Sequence, residues 1–426
     1  MKKLKSTLLL VSMTVMCLVV YYVSMVFVDI SRDAKKEQPS VTGGEEINAE
    51  STEPSTEQGT ENTDGEVPDD ENINNNEISI VVFGENFVHD SVINSGKQSD
   101  GTYNYDFLFD NLRVYAEKAD IAAIYQSTLI GGNELGVKGY PNFNTPEEMM
   151  TAISKAGFDV VLTASNHTND LGVSAIKNSI SLWDNTPGVM ALGINATKDE
   201  AELIPVIPVK GKKIAMLNYT AGMNKPISNQ DDKYMVNYLD KDKVISDIAK
   251  AEEVADYVIV FPYWVSELTY DTTDAQREFA KAMVEAGADL IVGASSRVIG
   301  EIEIIKADNG NEALCYYSVG NFCSSFNYSD AMVGGMARIT LQISEDTIVL
   351  DEEKTGITPI VTHYTHTEGE DDATIVGVYP IWSYTSEMAS SHGIITRAGV
   401  SFDMSVIEKI ISEKIEEKYL LGQENQ

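Results

Sequence analysis

Histidine and cysteine are scarce in this chain, with five and three residues among 426. Three cysteines exclude a disulfide-stapled scaffold. Cys17 lies in an apolar run, and Cys315 and Cys323 pair only if the fold brings them together. Positive charge is also in short supply: 31 Lys and Arg face 66 Asp and Glu, for a formal net charge of −35. A field of that sign repels polynucleotides, so no nucleic-acid partner is expected. Apolar content is not lacking. At 43% hydrophobic residues the chain is ordinary for a globular protein, which excludes wholesale disorder. Its length is enough for one large core or two ordinary ones.

The N-terminal region divides by what each stretch is missing. From Ser6 to Val28 there is no charge, and lysines precede the run while Asp29 follows it. About 22 helical residues span roughly 33 Å, enough to cross a bilayer core. The lysines place the N-terminus in the cytoplasm and the rest outside. A cleaved signal peptide is the rival reading, but the run is long for one and no small-x-small pattern follows it. Met16 before Cys17 is too large for a lipoprotein site. Residues 1–30 thus read as a cytoplasmic stub and a single-pass membrane anchor. Residues 31–76 hold almost no large apolar side chain and are rich in Glu, Asp, Thr, Ser and Asn. They read as a disordered acidic tether, because they cannot bury enough surface to offset ordering entropy.

Order is expected from Ile78 onward. Strands are predicted at 78–83, 120–124, 158–164, 213–218, 257–261 and 289–292, then at 301–306, 313–319 and 336–343. Helices are predicted between them at 145–156, capped by Thr145 or Asn144, and at 172–183, 240–252 and 275–286. Apolar strands alternating with helices mean an α/β domain with a covered sheet. In such folds the chemistry sits on loops that follow the strands. After residue 345 the pattern weakens, and 405–421 reads as an amphipathic helix within a C-terminal extension, 346–426.

The loops after the strands carry the most specific signal. In order they are Gly84-Glu85-Asn86, Tyr125-Gln126-Ser127 and Tyr140-Pro141-Asn142-Phe143-Asn144-Thr145-Pro146. Then come Asn166-His167-Thr168-Asn169-Asp170-Leu171-Gly172, Pro262-Tyr263-Trp264, Gly287-Ala288-Asp289-Leu290-Ile291, Ser295-Ser296-Arg297 and Tyr317-Ser318-Val319-Gly320-Asn321-Phe322. Each piece alone is weak, but the ordered set resembles the CapA family of capsule and poly-γ-glutamate synthesis proteins, over about 78–343. The resemblance implies a calcineurin-like metallophosphoesterase-type sandwich: an α/β fold with helices on both faces of mixed β-sheets in a domain at 77–345, here preceded by one transmembrane helix. It also implies a location at the cell membrane with the main domain outside.

The family pattern supplies a pair of cations with an Asp after strand one, Asn and Glu after strand two, Asn-His after strand three, then His-Trp-Gly and Gly-x-His-Pro-His. At the matching positions this sequence has Glu85, Tyr125 with Ser127, Asn166-His167, Tyr263, and Ser295 with Arg297. Serine is a poor ligand beside a carboxylate, a phenol ionises only near pH 10, and Arg297 is a permanent cation. Of the other histidines, His89 sits beside Asp90 and reads as a surface pair, and His363, His366 and His392 lie outside the matched region. A degenerate site is therefore expected, with no metal cofactor.

The expected ligand-binding set is Glu85, Asn166, Tyr263, Arg297 and Asn321. His167 and Asp170 are the candidate catalytic pair, although a loop-orienting hydrogen bond between them is the plainer reading. Arg297 is either a surface cation or an anion contact beside Asn166 and His167. Asn321 also suits a turn, Trp264 wall packing, and Met149 with Met150 core. The expected function is binding or scaffolding in the synthesis, export or retention of an anionic cell-surface polymer, together with its synthesis machinery. The competing functions are a metal-dependent hydrolase or transferase with a rearranged site, using Mn or Zn, and a structural envelope protein with a vestigial pocket.

Overall fold

The computed structural model describes residues 76–268 and 271–423. The expected anchor and tether lie outside these described residues. Among the described residues no helix is long and apolar enough to cross a membrane.

Fifteen strands among the described residues form two mixed sheets. The first is built from β1 (Glu77–Asn86), β2 (Ile121–Gln126), β3 (Val160–Leu162) and β4 (Met190–Leu192). The second comprises β5 (Val206–Val209), β6 (Lys212–Thr220), β7 (Tyr257–Tyr263), β8 (Leu290–Val292), β9 (Ile302–Lys306) and β10 (Glu312–Tyr316). Then β11 (Asn321–Cys323), β12 (Val333–Ile343), β13 (Ile348–Leu350), β14 (Gly356–Thr365) and β15 (Thr374–Pro380) return to the first sheet. The orders are β15-β14-β12-β1-β2-β3-β4, with β11 beside β1 and β13 beside β12, and β5-β6-β7-β8-β10-β9.

Alternation along β7 shows how the layers form. Tyr257, Ile259, Phe261 and Tyr263 enter the large core that also holds Ile124, Val161 and Leu162 of the first sheet. Val258 and Val260 face the other way, onto Val244 and Ile248 of helix Lys241–Glu252 and Met283 and Val284 of helix Asp274–Ala286. Period-2 alternation with both faces apolar is what a strand covered on both sides requires. Tyr125 ties the two sheets directly, its hydroxyl donating to the Val292 carbonyl at 2.6 Å.

Three expectations are corrected. The stretch expected as an extension, 346–426, is part of the fold over its described residues to 423: β14 pairs with β12, and β15 pairs with β14, so this C-terminal segment completes the first sheet. The helix expected at 405–421 runs only over Met404–Lys414, followed by a 3₁₀ turn at Glu417–Tyr419. The helix expected from Thr145 starts at Glu148. The two proposed caps are committed elsewhere. Thr145 Oγ1 meets Thr128 Oγ1 at 2.8 Å, and Asn144 Oδ1 accepts from Gly131 N at 2.8 Å. Cys315 and Cys323 are buried free thiols, one in each hydrophobic cluster.

Candidate functional site

Glu85 is the centre of the site, and its position is set by two features of β1. A register shift between Phe83 and Glu85 breaks the pairing with β2, which re-aims the side chain. Gly84 lets β11 approach: a Cβ there would lie 2.4 Å from the Gly320 carbonyl oxygen. The neighbouring Glu85 N–H donates to that same oxygen at 2.9 Å. The Glu85 carboxylate ends fully buried. Burial of a carboxylate is costly unless it is paired and hydrogen-bonded, and here every direction is supplied. Oε1 accepts from Ser295 N at 2.9 Å, and Oε2 accepts from Ser127 Oγ at 2.8 Å. The Tyr263 hydroxyl lies 2.9 Å from Oε2 and 2.9 Å from Asn166 Oδ1, so its one proton serves either acceptor. Arg297 completes the set with an ion pair from Nη1 to Oε2.

Arg297 is also fully buried. Its guanidinium lies over the Phe87 ring, 4.0 Å from the centroid, and its Nη2 donates to Glu267 Oε1 at 2.7 Å. Asn166 Nδ2 reaches the same oxygen at 3.3 Å. Burial opposes the charge of Arg297, but Glu85, Tyr263 and Glu267 outweigh it and raise its pKa. Burial likewise works against the Glu267 carboxylate, and the Arg297 charge beside it holds the pKa below the usual value. Burial pushes the Tyr263 phenol well above its ordinary value, so it is a neutral donor. The backbone around the cluster is strained. Ser295 and Arg297 have φ of 109° and 68°, and Val265 and Leu268 have φ of 56° and 51°. Left-handed non-glycine residues cost on the order of 1–3 kcal/mol each and persist only where surrounding contacts dictate them. Those contacts are Ser266 N to Ser295 Oγ at 2.8 Å and Leu268 N to Ser296 O at 3.0 Å.

These donors do not fit a pair of divalent cations. Both Glu85 oxygens are taken by internal donors, and Arg297 puts a guanidinium against Oε2, where an ion would be ligated. Among the described residues no group of three or more His, Cys, Asp and Glu side chains is arranged to hold a metal ion. What the arrangement can do is hold charge in a fixed, dry geometry.

Each remaining candidate has a definite place. His167 Nδ1 lies 2.8 Å from Asp170 Oδ2, and Nε2 faces Asn224 Nδ2 at 3.3 Å. Asp170 Oδ2 also accepts from Phe143 N at 2.7 Å, so the pair ties the loop after β3 to the loop before helix Glu148–Lys155. His89 is not a surface pair with Asp90. It packs among Phe87, Phe143 and Phe326, and burial lowers its pKa to about 3, helped by the charge of Arg297. Asn321 is buried beside β1, but its Nδ2 donates to Ser324 Oγ and the Ala331 carbonyl at 3.1 and 3.0 Å, which holds a turn and not the cluster. Arg297 is not a surface cation. Trp264 packs against Phe279 and Tyr317, and Met149 and Met150 are buried core. The structure thus brings Glu85, Ser127, Asn166, Tyr263, Ser295 and Arg297 together and leaves Asn321 out. Sequence reasoning missed Glu267, Asn224 and Phe87. Glu267 was detectable only as a carboxylate four residues past Tyr263 on a post-strand loop.

Residues 79–325, more than half of the chain, match the family model described as "Bacterial capsule synthesis protein PGA_cap". The "PGA biosynthesis protein CapA" of Bacillus subtilis (strain 168) is 30% identical over 182 residues, 42% of this chain and 46% of that protein. The "Capsule biosynthesis protein CapA" of Bacillus anthracis is 27% identical over 229 residues, 52% of this chain and 54% of that protein. The chain spans about half the length of the curated relatives it matches. Among solved structures, the 5'-nucleotidase precursor from Thermus thermophilus superposes with a TM-score of 0.41 at 11% identity, covering 79% of this chain and 59% of that one. The calcineurin-like phosphoesterase YfkN from Bacillus subtilis gives 0.39 at 11% identity, covering 79% and 98%.

Proposed function

The chain belongs to the bacterial capsule synthesis protein family, and from that premise we propose that it serves capsule or poly-γ-glutamate production as a non-catalytic, membrane-anchored component on the outer surface. The observation that supports this is the Arg297 guanidinium locked against buried Glu85. A single covalent cation occupies the strand-end position where the family pattern supplies metal ligands. An ion pair buried this firmly leaves no vacant position for a catalytic metal, which favours a binding role over turnover. In this reading the uncharged 6–28 run is the anchor and the acidic stretch to residue 76 the tether. No metal cofactor and no nucleic-acid partner belong to this reading. The occupant is an anionic polymer or the machinery that makes it.

The second reading is a rearranged hydrolase or transferase, and the oriented His167–Asp170 pair is what favours it. A carboxylate on Nδ1 fixes the tautomer and makes Nε2 the acceptor nitrogen, which Asn224 Nδ2 meets at 3.3 Å. One set of experiments separates the two. Elemental analysis of the purified full-length chain is expected to give less than 0.1 equivalent of Mn or Zn. Phosphodiesterase and γ-glutamyl hydrolase assays are expected at background. In cells lacking the gene, His167→Ala is expected to restore surface polymer as well as wild type does. Near-stoichiometric metal, or loss of complementation by a folded His167→Ala protein, would establish the hydrolase.

A further inference from the structure

Arg297 does not use all of its donors. Nη1 is committed to Glu85 and Nη2 to Glu267, but Nε is buried without a hydrogen-bond partner. Nε and Nη2 form the side-on edge of the guanidinium, the edge that takes both oxygens of a carboxylate in two parallel bonds. Glu267 engages that edge at Nη2 with Oε1 alone. A buried donor without a partner is costly, so this contact is incomplete.

Glu267 also differs from its neighbours in exposure. Its side chain is 51% exposed, whereas those of Arg297 and Glu85 are fully buried. It sits between Val265 and Leu268, both in the left-handed region, on the short segment after β7. Release of Glu267 into water removes no fully buried side chain, and it frees Arg297 Nη2 and Asn166 Nδ2, which both donate to its Oε1. Asn224 is the next polar side chain, with its Oδ1 3.5 Å from Asn166 Nδ2.

We infer that this edge is a carboxylate-binding site, that Glu267 is its resident internal occupant, and that an external carboxylate displaces Glu267 to bind Arg297 through Nε and Nη2. The ligand class is read from the occupant: the group that already fills the site is a glutamate carboxylate. The inference deepens the proposed function and rests on it in taking the strand-end cluster as the working surface of the domain. An internal competitor on a short tether acts at an effective concentration of about millimolar or above. A lone carboxylate must overcome that competition, as well as the repulsion of a chain carrying −35. A polymer with many adjacent carboxylates overcomes it by rebinding. Glu267 thereby selects for repeated anions over single ones.

The test uses the full-length chain and its Glu267→Ala variant, which removes a half-exposed side chain and is expected to fold. Calorimetric titration with glutarate, tri-γ-glutamate and inorganic phosphate reads the affinity. The expected result is carboxylate binding at least tenfold tighter in Glu267→Ala than in wild type, with tri-γ-glutamate ahead of glutarate and phosphate weaker than both. In a Glu267→Ala chain that also carries Glu85→Gln and Arg297→Met, which removes the buried pair as a unit, the gain is expected to vanish. Three outcomes would each overturn the inference: equal affinity in wild type and Glu267→Ala, phosphate matching or exceeding the carboxylates, or a gain that survives loss of Arg297. All three leave the capsule reading intact, because complementation by the wild-type gene tests that separately.

Discussion

Arg297→Met, Glu85→Gln and their combination form a cycle that measures how much of the domain's stability depends on the pair being complete. Methionine keeps an unbranched stem against Phe87 but removes the charge. Glu85 then retains Ser295 N, Ser127 Oγ and the Tyr263 hydroxyl as donors, yet its negative charge is buried without a cation. Breaking a buried pair from one side costs about 3–5 kcal/mol, and the surviving donors place Arg297→Met near ~3 kcal/mol. Glu85→Gln leaves Arg297 with half-exposed Glu267 as a partner, so about 2 kcal/mol is expected. The double variant removes both charges and is expected to cost only ~1 kcal/mol, because desolvation of two ions disappears along with their attraction. The coupling is then about 4 kcal/mol, well beyond the ~0.5 kcal/mol scatter of independent sites. Equilibrium urea unfolding of the full-length chain, followed by fluorescence of Trp183, Trp264 and Trp382, reads all four corners. A cost below about 1 kcal/mol for Arg297→Met, or additive single effects, would refute the view that the cluster is one electrostatic unit.

Three further outcomes are expected. Asp289 donates no charge to the cluster, but burial raises its pKa from 3.8 to about 7, with its Val258 N–H bond opposing and Glu252 adding to the rise. The folded value exceeds the unfolded one, so the native state favours the protonated form. The stabilisation is full below pH ~4 and is lost as pH climbs through 7, by on the order of 1–2 kcal/mol once partial solvent screening is allowed for. Asp289→Asn should flatten thermal stability between pH 4 and 8; an unchanged slope would contradict the assignment. Gly84→Ala drives a methyl against the backbone of Gly320 and Asn321, neither of which can yield cheaply, and should cost about 1–3 kcal/mol by urea midpoint. Thr273→Ala removes one half of the reciprocal capping box with Gln276, and helix Asp274–Ala286 should lose about 1 kcal/mol, with earlier amide exchange in its first turn.

The middle of the fold was readable from sequence because its strands are apolar on both faces. β1, β7 and β8 appear as runs of Val, Ile and Phe. The segment after residue 345 was not readable, for a physical reason. β14 is buried along nearly its whole length yet carries Thr358, Thr362 and His363, whose polar atoms are satisfied by Leu421 O, Phe322 O and Tyr384 Oη. It also holds Pro359, which lies just before pairing with β15 begins at Ile360. There a missing N–H costs no ladder bond on that side. Partners that distant in sequence leave no local pattern.

The site shows the same division between what a residue is and whom it meets. The substitutions at Ser127, Tyr263, Ser295 and Arg297 were visible singly, and each reads as a lost ligand. Their meaning appears only when they converge, since all four touch Glu85. Serine and tyrosine hydroxyls are weak ligands but good neutral donors to a carboxylate, and the peptide N–H of Ser295 becomes a donor only because its φ of 109° turns it inward. The Glu85 carboxylate is saturated by one guanidinium and three neutral donors. The members act together: Arg297 beside a divalent ion would be repelled, and Glu85 without Arg297 would be an unpaired buried charge. The cluster therefore has its own chemistry, and Glu267, the member with no counterpart in the motifs, is where that chemistry meets solvent.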